Sequence, residues 1–483
     1  MKTNDTKKIS WVTCIDCKGL GRILRAPSRK RKRLYQAELH KFEKNNRSGI
    51  IPKTPNSNMD ICLDCSGSGL MTSTDSVKID SENYPSIAII GGGIGGISLA
   101  IACLHRGIPF TLYERDDSFD VRSQGYGLTL QQASKAIHGL GIFSLNEGIV
   151  STKHIVHNQN GKIIGEWGLR KWIKKPVEKN NKRKNIHIAR QSLRLELLKQ
   201  LNESDSIRWG HKFVNFSRND DKAFNLKFET DEKIIFEKAD LIVAADGIYS
   251  SVRKLIIGEN TSPLNYLGCI VILGICPLKS LDHIESPLFD SETVFQTVNG
   301  TERIYVMPYD KDTIMWQLSF PISESNAKKL SKSGAKAMKD EALKRLTWHD
   351  PIPQILQATS ESKITGYPVY DREILDAELL QAKGNVTLIG DAAHPMSPFK
   401  GQGANQAIID ALNLARSISI KCKNNLRWRK TGLREIVLND FELEMIQRTT
   451  PKVKGSSLAA KLLHSDAVLH SGDNPRGRGL NSE

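Results

Sequence analysis

The run of glycines at Gly91–Gly96 constrains the fold of this chain more than any other feature. It follows the short apolar run Ile87–Ile90, which is typical of a buried parallel strand, and it precedes an apolar, helix-like segment at Ile97–His105. A second strand is predicted at Phe110–Tyr113. The order strand, glycine loop, helix, strand predicts the first unit of a doubly wound α/β sheet.

The glycine run contains the pattern GxGxxG at Gly91, Gly93 and Gly96. The first glycine permits the tight turn, the second lets the backbone approach a pyrophosphate, and the third lets the helix pack on the strand. The helix N-terminus then directs unpaired N–H groups and the positive end of its dipole at the phosphates. The pattern therefore predicts a binding site for a dinucleotide.

An acidic residue, Glu114, follows the second predicted strand, 18 positions after Gly96. A carboxylate at this place accepts hydrogen bonds from the ribose hydroxyls of an adenosine and disfavours a 2′-phosphate. The pocket therefore suits FAD or NAD better than NADP. We place the next residue, Arg115, among the predicted cofactor contacts as well.

Two later strands end in polar turns, where ligands of parallel sheets bind. The first strand, at Ala239–Ala245, is followed by Asp246–Gly247. The second, at Val386–Ile389, is followed by Gly390–Asp391. A glycine-containing loop at Pro398–Asn405 then leads into an apolar helix. These turns predict that the ligand site extends across the strand ends of one sheet.

In this order, the three segments resemble the GxGxxG, DG and GD motifs of the flavin-dependent aromatic hydroxylases typified by para-hydroxybenzoate hydroxylase. The resemblance extends from about Ser86 to about Ser465. It implies an enzyme that binds FAD non-covalently, takes NADPH or NADH as co-substrate, and hydroxylates a small aromatic or polyketide-like molecule through a flavin C4a-hydroperoxide. The segments Gln124–Leu130 and Met396–Gly403 are also similar to the subgroup that includes tetracycline-inactivating monooxygenases.

The resemblance implies roles for individual residues. Asp391 would hydrogen-bond the ribityl chain of FAD, Arg190 would match the family arginine near the FAD, and Asp246 would serve the FAD and pyridine-nucleotide region. Tyr249 departs from the family pattern, because many members carry arginine between the Gly and Ser of the DG motif. The remaining implied contacts are Gly390 of the GD motif and a loop whose backbone would meet the pyrimidine edge of the flavin, at Gly401, Gln402, Gly403 and Asn405.

The sequence assigns no catalytic acid or base, because in this family the cofactor carries the chemistry. His211, His394 and Tyr305 are candidates by residue type alone, and residues of these types more often have a structural role. Two other functions remain open. One is a flavin halogenase or reductase on the same fold, and the other is a flavin-bearing regulatory or binding protein whose N-terminal module contacts a macromolecule.

Two CxxCxGxG motifs lie near the N-terminus, at Cys14–Gly21 and Cys62–Gly69. In each motif the two cysteines form a tight knuckle, and two knuckles supply the four thiolates of a tetrahedral zinc site. The predicted ligands are Cys14, Cys17, Cys62 and Cys65. The motifs resemble those of the cysteine-rich domain of DnaJ-type co-chaperones, although only two of that domain's four are present. A redox dithiol and free thiols are the alternatives.

We therefore predict an α/β protein with a Rossmann-type FAD-binding domain, an inserted mixed-sheet substrate domain and a small N-terminal zinc-binding module. The inserted sheet is expected because strand-like segments at 303–306 and 314–318 lie between the DG and GD motifs. The predicted boundaries are 1–71 for the zinc module, 72–85 for a polar linker, 86–263 and 366–425 for the FAD-binding domain, 264–365 for the substrate sheet, 426–465 for C-terminal helices and 466–483 for a disordered tail.

Charge and hydropathy limit the partners and the compartment. The net charge is +16, and residues 1–80 carry 16 Lys and Arg against 8 Asp and Glu. This basic region, with a helix-compatible stretch at Ser28–Asn46, either contacts nucleic acid, anionic lipid or an acidic protein, or is a solvated face. No apolar stretch approaches the roughly 20 residues that span a bilayer. The N-terminus lacks the pattern of a secretory signal, so a cytoplasmic location is expected.

Overall fold

The computed structural model divides the chain into two compact units, residues 1–78 and residues 79–483. Within the described residues, no helix is long and apolar enough to cross a membrane. The structure describes residues 10–25, 27–45, 52, 58–121, 125–168, 185–201, 206–218, 223–231, 233–381, 383–423 and 426–476.

The described part of the N-terminal unit contains two short antiparallel strand pairs and one helix. Its elements are β1 (Ser10–Thr13), β2 (Arg22–Arg25), α1 (Arg29–Lys44), β3 (Asn58–Ile61) and β4 (Leu70–Ser73). Strand β1 pairs antiparallel with β4, and β2 pairs antiparallel with β3. The predicted basic helix is confirmed as α1, which Ser28 caps by accepting a hydrogen bond from the backbone N–H of Arg31.

The large unit contains the remaining strands and helices. Its strands are β5 (Ile87–Ile90), β6 (Phe110–Tyr113), β7 (Gly127–Leu130), β8 (Ile149–Val150), β9 (Lys153–Asn158), β10 (Ile163–Trp167), β11 (Ile186–Ala189), β12 (Ile207–Arg208), β13 (Lys212–Arg218), β14 (Phe224–Glu229), β15 (Ile234–Ala239), β16 (Leu241–Ala244), β17 (Leu264–Pro277), β18 (Thr293–Val298), β19 (Arg303–Pro308), β20 (Thr313–Pro321), β21 (Ile364–Arg372) and β22 (Val386–Leu388). Its α-helices are α2 (Ile94–Leu104), α3 (Ala133–Ala136), α4 (Arg190–Gln200), α5 (Ser251–Ile257), α6 (Glu324–Lys332), α7 (Gly334–Arg345), α8 (Ile352–Ala358), α9 (Ala377–Gln381), α10 (Gly403–Cys422), α11 (Arg427–Thr431) and α12 (Asn439–Leu462).

A five-stranded parallel sheet forms the centre of the large unit, with the strand order β12-β6-β5-β16-β22. All four residues of β5 and of β16 are buried, which explains their unbroken apolar sequence. Helices α2 and α10 belong to the same hydrophobic core as these strands. The predicted strand, glycine loop, helix, strand unit is therefore present, and the DG and GD motifs follow the adjacent strands β16 and β22.

The second large sheet has seven strands in the order β10-β9-β18-β19-β20-β17-β21. It is mixed, because β9 runs parallel to β18 while the other neighbours are antiparallel. Its extent differs from the predicted range 264–365, since β9 and β10 precede that range and β21 runs beyond it. The pairing of β9 with β18 begins at Lys153 and Thr293, a separation along the chain that leaves no local sequence signal.

The C-terminal segment is more ordered than its polar composition predicts. A 3₁₀ helix lies at Asp466–Leu469, and Val468 is buried against Val156 and Val298. The expectation of disorder from residue 466 is therefore wrong as far as residue 476, because buried apolar contacts hold this part. Residues 477–483 of the predicted tail lie outside the described residues.

Candidate active site

The glycine loop after β5 leaves no space for a side chain at Gly91 or Gly96. Gly91 has a φ of +106°, and a Cβ on it would lie 2.6 Å from the carbonyl oxygen of Ala245. A Cβ on Gly96 would lie 2.0 Å from the carbonyl oxygen of Gly91. Helix α2 then begins after Gly93, which supplies no side-chain cap. The loop therefore leaves the N–H groups at the start of α2 available to a phosphate.

Glu114 lies buried at the end of β6 and is joined directly to this loop. Its Oε2 accepts a 2.6 Å hydrogen bond from the N–H of Gly92, and its Oε1 accepts a 3.0 Å hydrogen bond from the backbone N–H of Asp116. Each carboxylate oxygen can accept a further bond, as a ribose hydroxyl requires. Arg115, by contrast, directs its side chain outward, with 66% of the side chain exposed. Its Nε lies 4.0 Å from Oδ1 of Asp116.

Sequence reasoning missed Arg194, a buried residue of α4 that supports the glycine loop. Its Nε donates a 2.9 Å hydrogen bond to the carbonyl oxygen of Gly92. Its guanidinium also lies 5.0 Å from the ring centre of Phe119 and 5.6 Å from that of Trp209. The one available signal was its position a helical turn after Arg190, on the helix that the sequence already placed near the cofactor.

The turn after β16 carries Asp246, whose Oδ2 accepts a 2.8 Å hydrogen bond from the N–H of Ser251. Its Oδ1 is buried and has no hydrogen-bond partner among the described residues. Burial raises the pKa of Asp246. A buried acceptor without a donor is costly, so a ligand hydroxyl or a water bridge at this atom would complete the site.

The turn after β22 is held from behind by Asp410, a fully buried residue of α10. Asp410 accepts hydrogen bonds from the N–H of Gly390 at 2.9 Å, from Nε2 of His394 at 2.7 Å and from Arg448 at 2.7 Å. Gly390 has a φ of +58°. This scaffold presents the next side chain, Asp391, at the wall of a cavity.

Asn405 is predicted to bring its backbone to the flavin, and its side chain bonds to the backbone of this chain. Its Oδ1 accepts hydrogen bonds from the N–H groups of Gln131 at 2.8 Å and Ala133 at 3.0 Å. Its Nδ2 donates to the carbonyl oxygens of Thr129 at 2.9 Å and Gly401 at 2.8 Å. Asn405 therefore fixes the loop before α10 against β7, and the backbone of that loop remains the part that can face a ligand.

The other predicted residues of this loop lie at the same cavity wall. Gly401 has a φ of +57°, and a Cβ on Gly403 would lie 3.3 Å from Oδ1 of Asp391. The side chain of Gln402 donates a 2.7 Å hydrogen bond to Gln131. Helix α10 begins at Gly403 without a side-chain cap, so its N-terminal N–H groups are available near this wall.

The cavity has a volume of about 860 Å³ and lies between this loop and one face of the seven-stranded sheet. Residues Asp391, Gly401, Gln402 and Gly403 line it, whereas the glycine loop and Glu114 do not. The two groups of predicted residues meet at α10, since Cβ atoms on Gly95 and Gly390 would lie 3.4 Å and 3.0 Å from Cβ of Ala407. A single ligand that reaches both groups must be long, as a dinucleotide is.

Arg190 begins α4 directly after β11, the strand that pairs with β7. Its N–H donates a 3.1 Å hydrogen bond to the carbonyl oxygen of Tyr126, and its guanidinium lies 5.9 Å from the ring centre of Tyr126. Tyr126 itself lines the cavity. The predicted family arginine is therefore placed one side chain away from the cavity.

Two of the three residues singled out by type have structural contacts. His394 pairs with Asp410, and His211 donates from Nδ1 to the carbonyl oxygen of Trp209 at 2.6 Å. Only Tyr305 among the three lines the cavity. Tyr249, the departure from the family pattern, also lines it, with its side chain largely exposed.

The four cysteines of the N-terminal unit converge as predicted. The four Sγ atoms lie within 4.8 Å of one another, with 3.9 Å between Cys14 and Cys62 and 3.7 Å between Cys17 and Cys65. A tetrahedral zinc with Zn–S bonds of about 2.3 Å requires sulfur separations of roughly 3.8 Å. The donor set and its spacing therefore fit a zinc ion.

Backbone N–H groups and closely packed glycines complete this cluster. Gly21 and Gly69 donate to Sγ of Cys17 and Cys65 at 3.1 Å and 3.2 Å. A Cβ on Gly69 would lie 2.4 Å from the carbonyl oxygen of Gly19. The glycines of the repeat are thus required where the two knuckles touch, and their N–H groups stabilise thiolate charge.

Comparison with known proteins agrees with this geometry. A family model described as an FAD binding domain matches residues 84–425. The chain is 28% identical over 342 residues to the Aurachin C monooxygenase/isomerase of Stigmatella aurantiaca, which covers 70% of this chain and 82% of that protein.

Solved structures share the fold. Klebsiella pneumoniae HpxO complexed with FAD and uric acid superposes with a TM-score of 0.63 at 20% identity, covering 78% of this chain and 88% of that one. The tetracycline destructase Tet(51) gives a TM-score of 0.58 at 18% identity, covering 80% of this chain and 94% of that one.

The chain belongs to the FAD-binding-domain family of flavin-dependent monooxygenases, because the family model matches most of its length. The predicted resemblance to the flavin-dependent aromatic hydroxylases is confirmed.

Proposed function

We propose that this chain is an FAD-dependent monooxygenase that uses NADPH or NADH and oxygen to hydroxylate a small aromatic or polyketide-like molecule. The observation that carries the proposal is the continuity of the predicted cofactor residues, from Glu114 and the glycine loop through α10 to Asp391 and the 860 Å³ cavity. A dinucleotide bound along this path would bring its flavin end to the space where a substrate fits.

Individual residues would hold the cofactor in the following way. Glu114 would bind the adenosine ribose, and the start of α2 would bind the pyrophosphate. Asp391 would bind the ribityl chain, and the backbone at Gly401 would meet the pyrimidine edge of the flavin. Bound FAD supplies the redox and oxygen chemistry that the sequence resemblance implies.

The protein's own contribution is positioning, electrostatics and the exclusion of water. The N-terminus of α10, at Gly403, would stabilise negative charge on the flavin if its pyrimidine edge binds there. On the opposite wall, Met307, Met315 and Val369 line the cavity with apolar surface. With cofactor and substrate bound, such a wall would help to keep water from the reacting atoms.

The aromatic or polyketide-like character of the substrate is supported by the rings that face the cavity. Tyr305, Tyr367 and Trp167 line it, and His154 stacks on Trp167 with ring centres 5.3 Å apart and planes 4° apart. Flat rings of this kind pack favourably on aromatic substrates. Tetracycline is the target in the name of one structural neighbour, and uric acid is the ligand of another.

The direct test is incorporation of labelled oxygen. The purified protein, FAD and NADPH or NADH would be incubated under ¹⁸O₂ with a panel of phenolic and polyketide-like compounds, and products analysed by mass spectrometry. One ¹⁸O atom in a product, dependent on FAD and on the nicotinamide cofactor, is the expected result. Reduction of oxygen to peroxide with every compound, and no labelled product, would contradict the proposal.

For the N-terminal unit we propose a structural zinc ion held by Cys14, Cys17, Cys62 and Cys65. All four positions of a tetrahedral ion would be filled by thiolates, so the site has no opening for a substrate. Its role is to fold a unit that has little other core, since the four cysteines and Leu20 form the hydrophobic cluster found there.

A macromolecular partner of this unit stays a prediction. Helix α1 buries none of its residues and begins with five consecutive basic residues, Arg29–Arg33. Positive charge at a helix N-terminus opposes the helix dipole, so these residues are not placed there for helix stability. A salt-sensitive complex with a polyanion would support the predicted contact, and unchanged migration with nucleic acid, anionic vesicles and acidic protein would contradict it.

A further inference from the structure

A strap, which we define as residues 466–476, follows α12 and is bonded to β10. β10 is the first strand of the seven-stranded sheet, so among the described strands it pairs on one side alone. The N–H of Gly472 donates a 3.0 Å hydrogen bond to the carbonyl oxygen of Ile164, and Nη2 of Arg476 donates one of 3.1 Å to the same oxygen. The strap therefore covers an edge that a further strand would otherwise fill.

Arg476 is the residue that fastens the strap. It is buried, with 8% of its surface exposed. Four of the acceptors of its Nη1 and Nη2 lie within the strap itself, and the fifth is the carbonyl oxygen of Ile164 on β10. The shortest bond, of 2.6 Å, reaches the carbonyl oxygen of His470, and another of 2.9 Å reaches that of Gly472. The guanidinium therefore folds the strap around itself and holds it against the sheet.

The strap covers the face of the sheet that borders the cavity. Its Val468 belongs to a buried cluster with Val156 of β9 and Val298 of β18. Val156 lies opposite Gln296 in the ladder, so these two side chains share one face of the sheet. Gln296 lines the cavity. The strap and the cavity therefore divide the same sheet face between them.

The strap also supplies part of the cavity wall, through Pro475 and Arg476. Trp167, the last residue of β10, lines the cavity as well, and His154 stacks on its ring with centres 5.3 Å apart. Trp167 lies three residues along the strand from Ile164, where the strap is bonded, a separation of about 10 Å. The strap and this aromatic pair therefore form one side wall of the cavity.

The strap approaches β10 too closely for a side chain at Gly165. A Cβ there would lie 2.3 Å from the carbonyl oxygen of Gly472 and 3.1 Å from Nη2 of Arg476. A Cβ on Gly472, by contrast, would lie 3.5 Å from Cδ2 of His470, which is an ordinary contact. Alanine at Gly165 must therefore displace the strap, whereas alanine at Gly472 leaves it in place.

We propose that the strap, fastened by Arg476, determines how wide a ring system the cavity accepts beside Trp167. The proposal rests on the proposed function, whose site it deepens. Arg476 is a positioning residue, because its guanidinium is occupied by the strap and β10 and acts through them. Release of the strap would open the cavity on this side, which admits wider rings and removes a packing surface from narrower ones.

Binding of two flat probes to the oxidised, FAD-loaded protein, without reductant, tests the proposal. The probes are 2-naphthol and 1-hydroxypyrene, which carry the same hydroxyl group on a narrow and a wide ring system, and their dissociation constants are measured by fluorescence. Arg476→Gln should shift the ratio of the two constants toward 1-hydroxypyrene by about tenfold or more. Loss of a wall contact for the narrow probe and relief of a clash for the wide one act in the same direction.

A second variant displaces the strap while Arg476 is intact. Gly165→Ala should give the same shift, because the new Cβ would meet the strap backbone. Gly472→Ala is the matched control for this contact. Arg429→Gln is the control for the arginine, since Arg429 donates to two backbone carbonyl oxygens outside the cavity lining. A ratio that stays at the wild-type value in Arg476→Gln or in Gly165→Ala, or that shifts equally in the controls, would overturn the proposal.

Hydrogen exchange of the wild type gives a readout that needs no variant. Bound 2-naphthol should slow the exchange of the strap amides, because the probe packs against the wall that contains Pro475. The amides of α6, which does not line the cavity, should exchange as before. Exchange of the strap that is the same with and without either probe would overturn the proposal.

These readouts separate the proposal from the proposed function. Probe binding and hydrogen exchange need no turnover, and FAD content and ¹⁸O incorporation are measured independently. A width preference that depends on Arg476, without hydroxylation of any compound, would refute the activity alone. Hydroxylation with an unchanged width preference in the variants would refute the role of the strap alone.

Discussion

Gly92 and Glu114 are joined by a 2.6 Å hydrogen bond from the backbone N–H of Gly92 to Oε2 of Glu114. The bond ties the glycine loop after β5 to the end of β6, which are neighbouring parallel strands. Arg194 holds the same glycine from the other side through its carbonyl oxygen. The acidic residue therefore does two things: it shapes the loop that receives the phosphates and it offers oxygens to the ribose.

Replacing Glu114 tests this double role. In Glu114→Gln, loss of a charged hydrogen-bond acceptor worth about 1.5–3 kcal/mol should weaken FAD binding by roughly ten- to a hundredfold. The dissociation constant would be measured by fluorescence as FAD is added to the apoprotein. Glu229→Gln, a half-exposed carboxylate of β14, is the matched control and should bind FAD like the wild type. Equal affinities in all three proteins would rule out the role of Glu114.

Two neighbouring glycines of the loop should respond differently to alanine. In Gly96→Ala the added Cβ would meet the carbonyl oxygen of Gly91 at 2.0 Å, so the backbone must shift at a cost of about 1–3 kcal/mol. In Gly95→Ala the nearest atom is Cβ of Ala407 at 3.4 Å, an ordinary contact. Gly96→Ala should lower both the melting temperature and the amount of FAD retained, whereas Gly95→Ala should change neither. Equal tolerance of both substitutions would contradict the loop geometry.

Asp410 should make the free energy of unfolding depend on pH. Burial alone would raise its pKa, but His394 and Arg448 lower it on balance. A carboxyl with a lowered folded-state pKa contributes stability above its unfolded pKa of about 3.9, and this is lost as the pH falls through the folded value. At pH 7, Asp410→Asn should therefore lose roughly 3–5 kcal/mol of stability.

Urea denaturation midpoints from pH 7 down to pH 3 would measure this effect. The gap between wild type and Asp410→Asn should narrow below about pH 4, because the carboxyl then becomes protonated in the unfolded chain before it does in the folded protein. Asp440→Asn removes an exposed partner of Lys421 and should change the midpoint little. A gap that is constant with pH would show that the charge of Asp410 is not what stabilises the turn.

The cysteine cluster predicts about one zinc ion per chain, measurable by elemental analysis of the purified protein. Cys65→Ser should lose the zinc and make residues 10–78 sensitive to protease, while FAD binding persists because its residues belong to the other unit. Cys103→Ala removes a buried thiol of α2 and should keep the zinc. Wild-type protein without zinc, or zinc retained in Cys65→Ser, would refute the site.

The parts of the site that the sequence predicted are those with local patterns. The tight turn after β5 requires glycine at Gly91, Gly93 and Gly96, all within six residues. Glu114 is identified by its distance from them along the sequence. The two cysteine knuckles are equally local, and the structure brings their sulfurs together. In each case short-range geometry decides the residue type.

The parts that the sequence did not predict depend on contacts between distant segments. Arg303 is one arginine in a strand, and only the fold shows that it is buried in a cavity beside Gln296 and without an acidic partner among the described residues. The prediction for Asn405 concerned its backbone, and only the fold shows that its side chain makes four hydrogen bonds that join β7 and the residues after it to the start of α10. Such relationships leave no trace in residue spacing.

The most direct test of the central claim is anaerobic titration of the purified protein with NADPH and then NADH, followed by flavin absorbance. The account predicts a protein that carries FAD, whose flavin is reduced by at least one of the two and is reduced faster when a cavity ligand is present. A colourless protein that fails to take up added FAD, or a bound flavin that neither nicotinamide cofactor reduces, would contradict it.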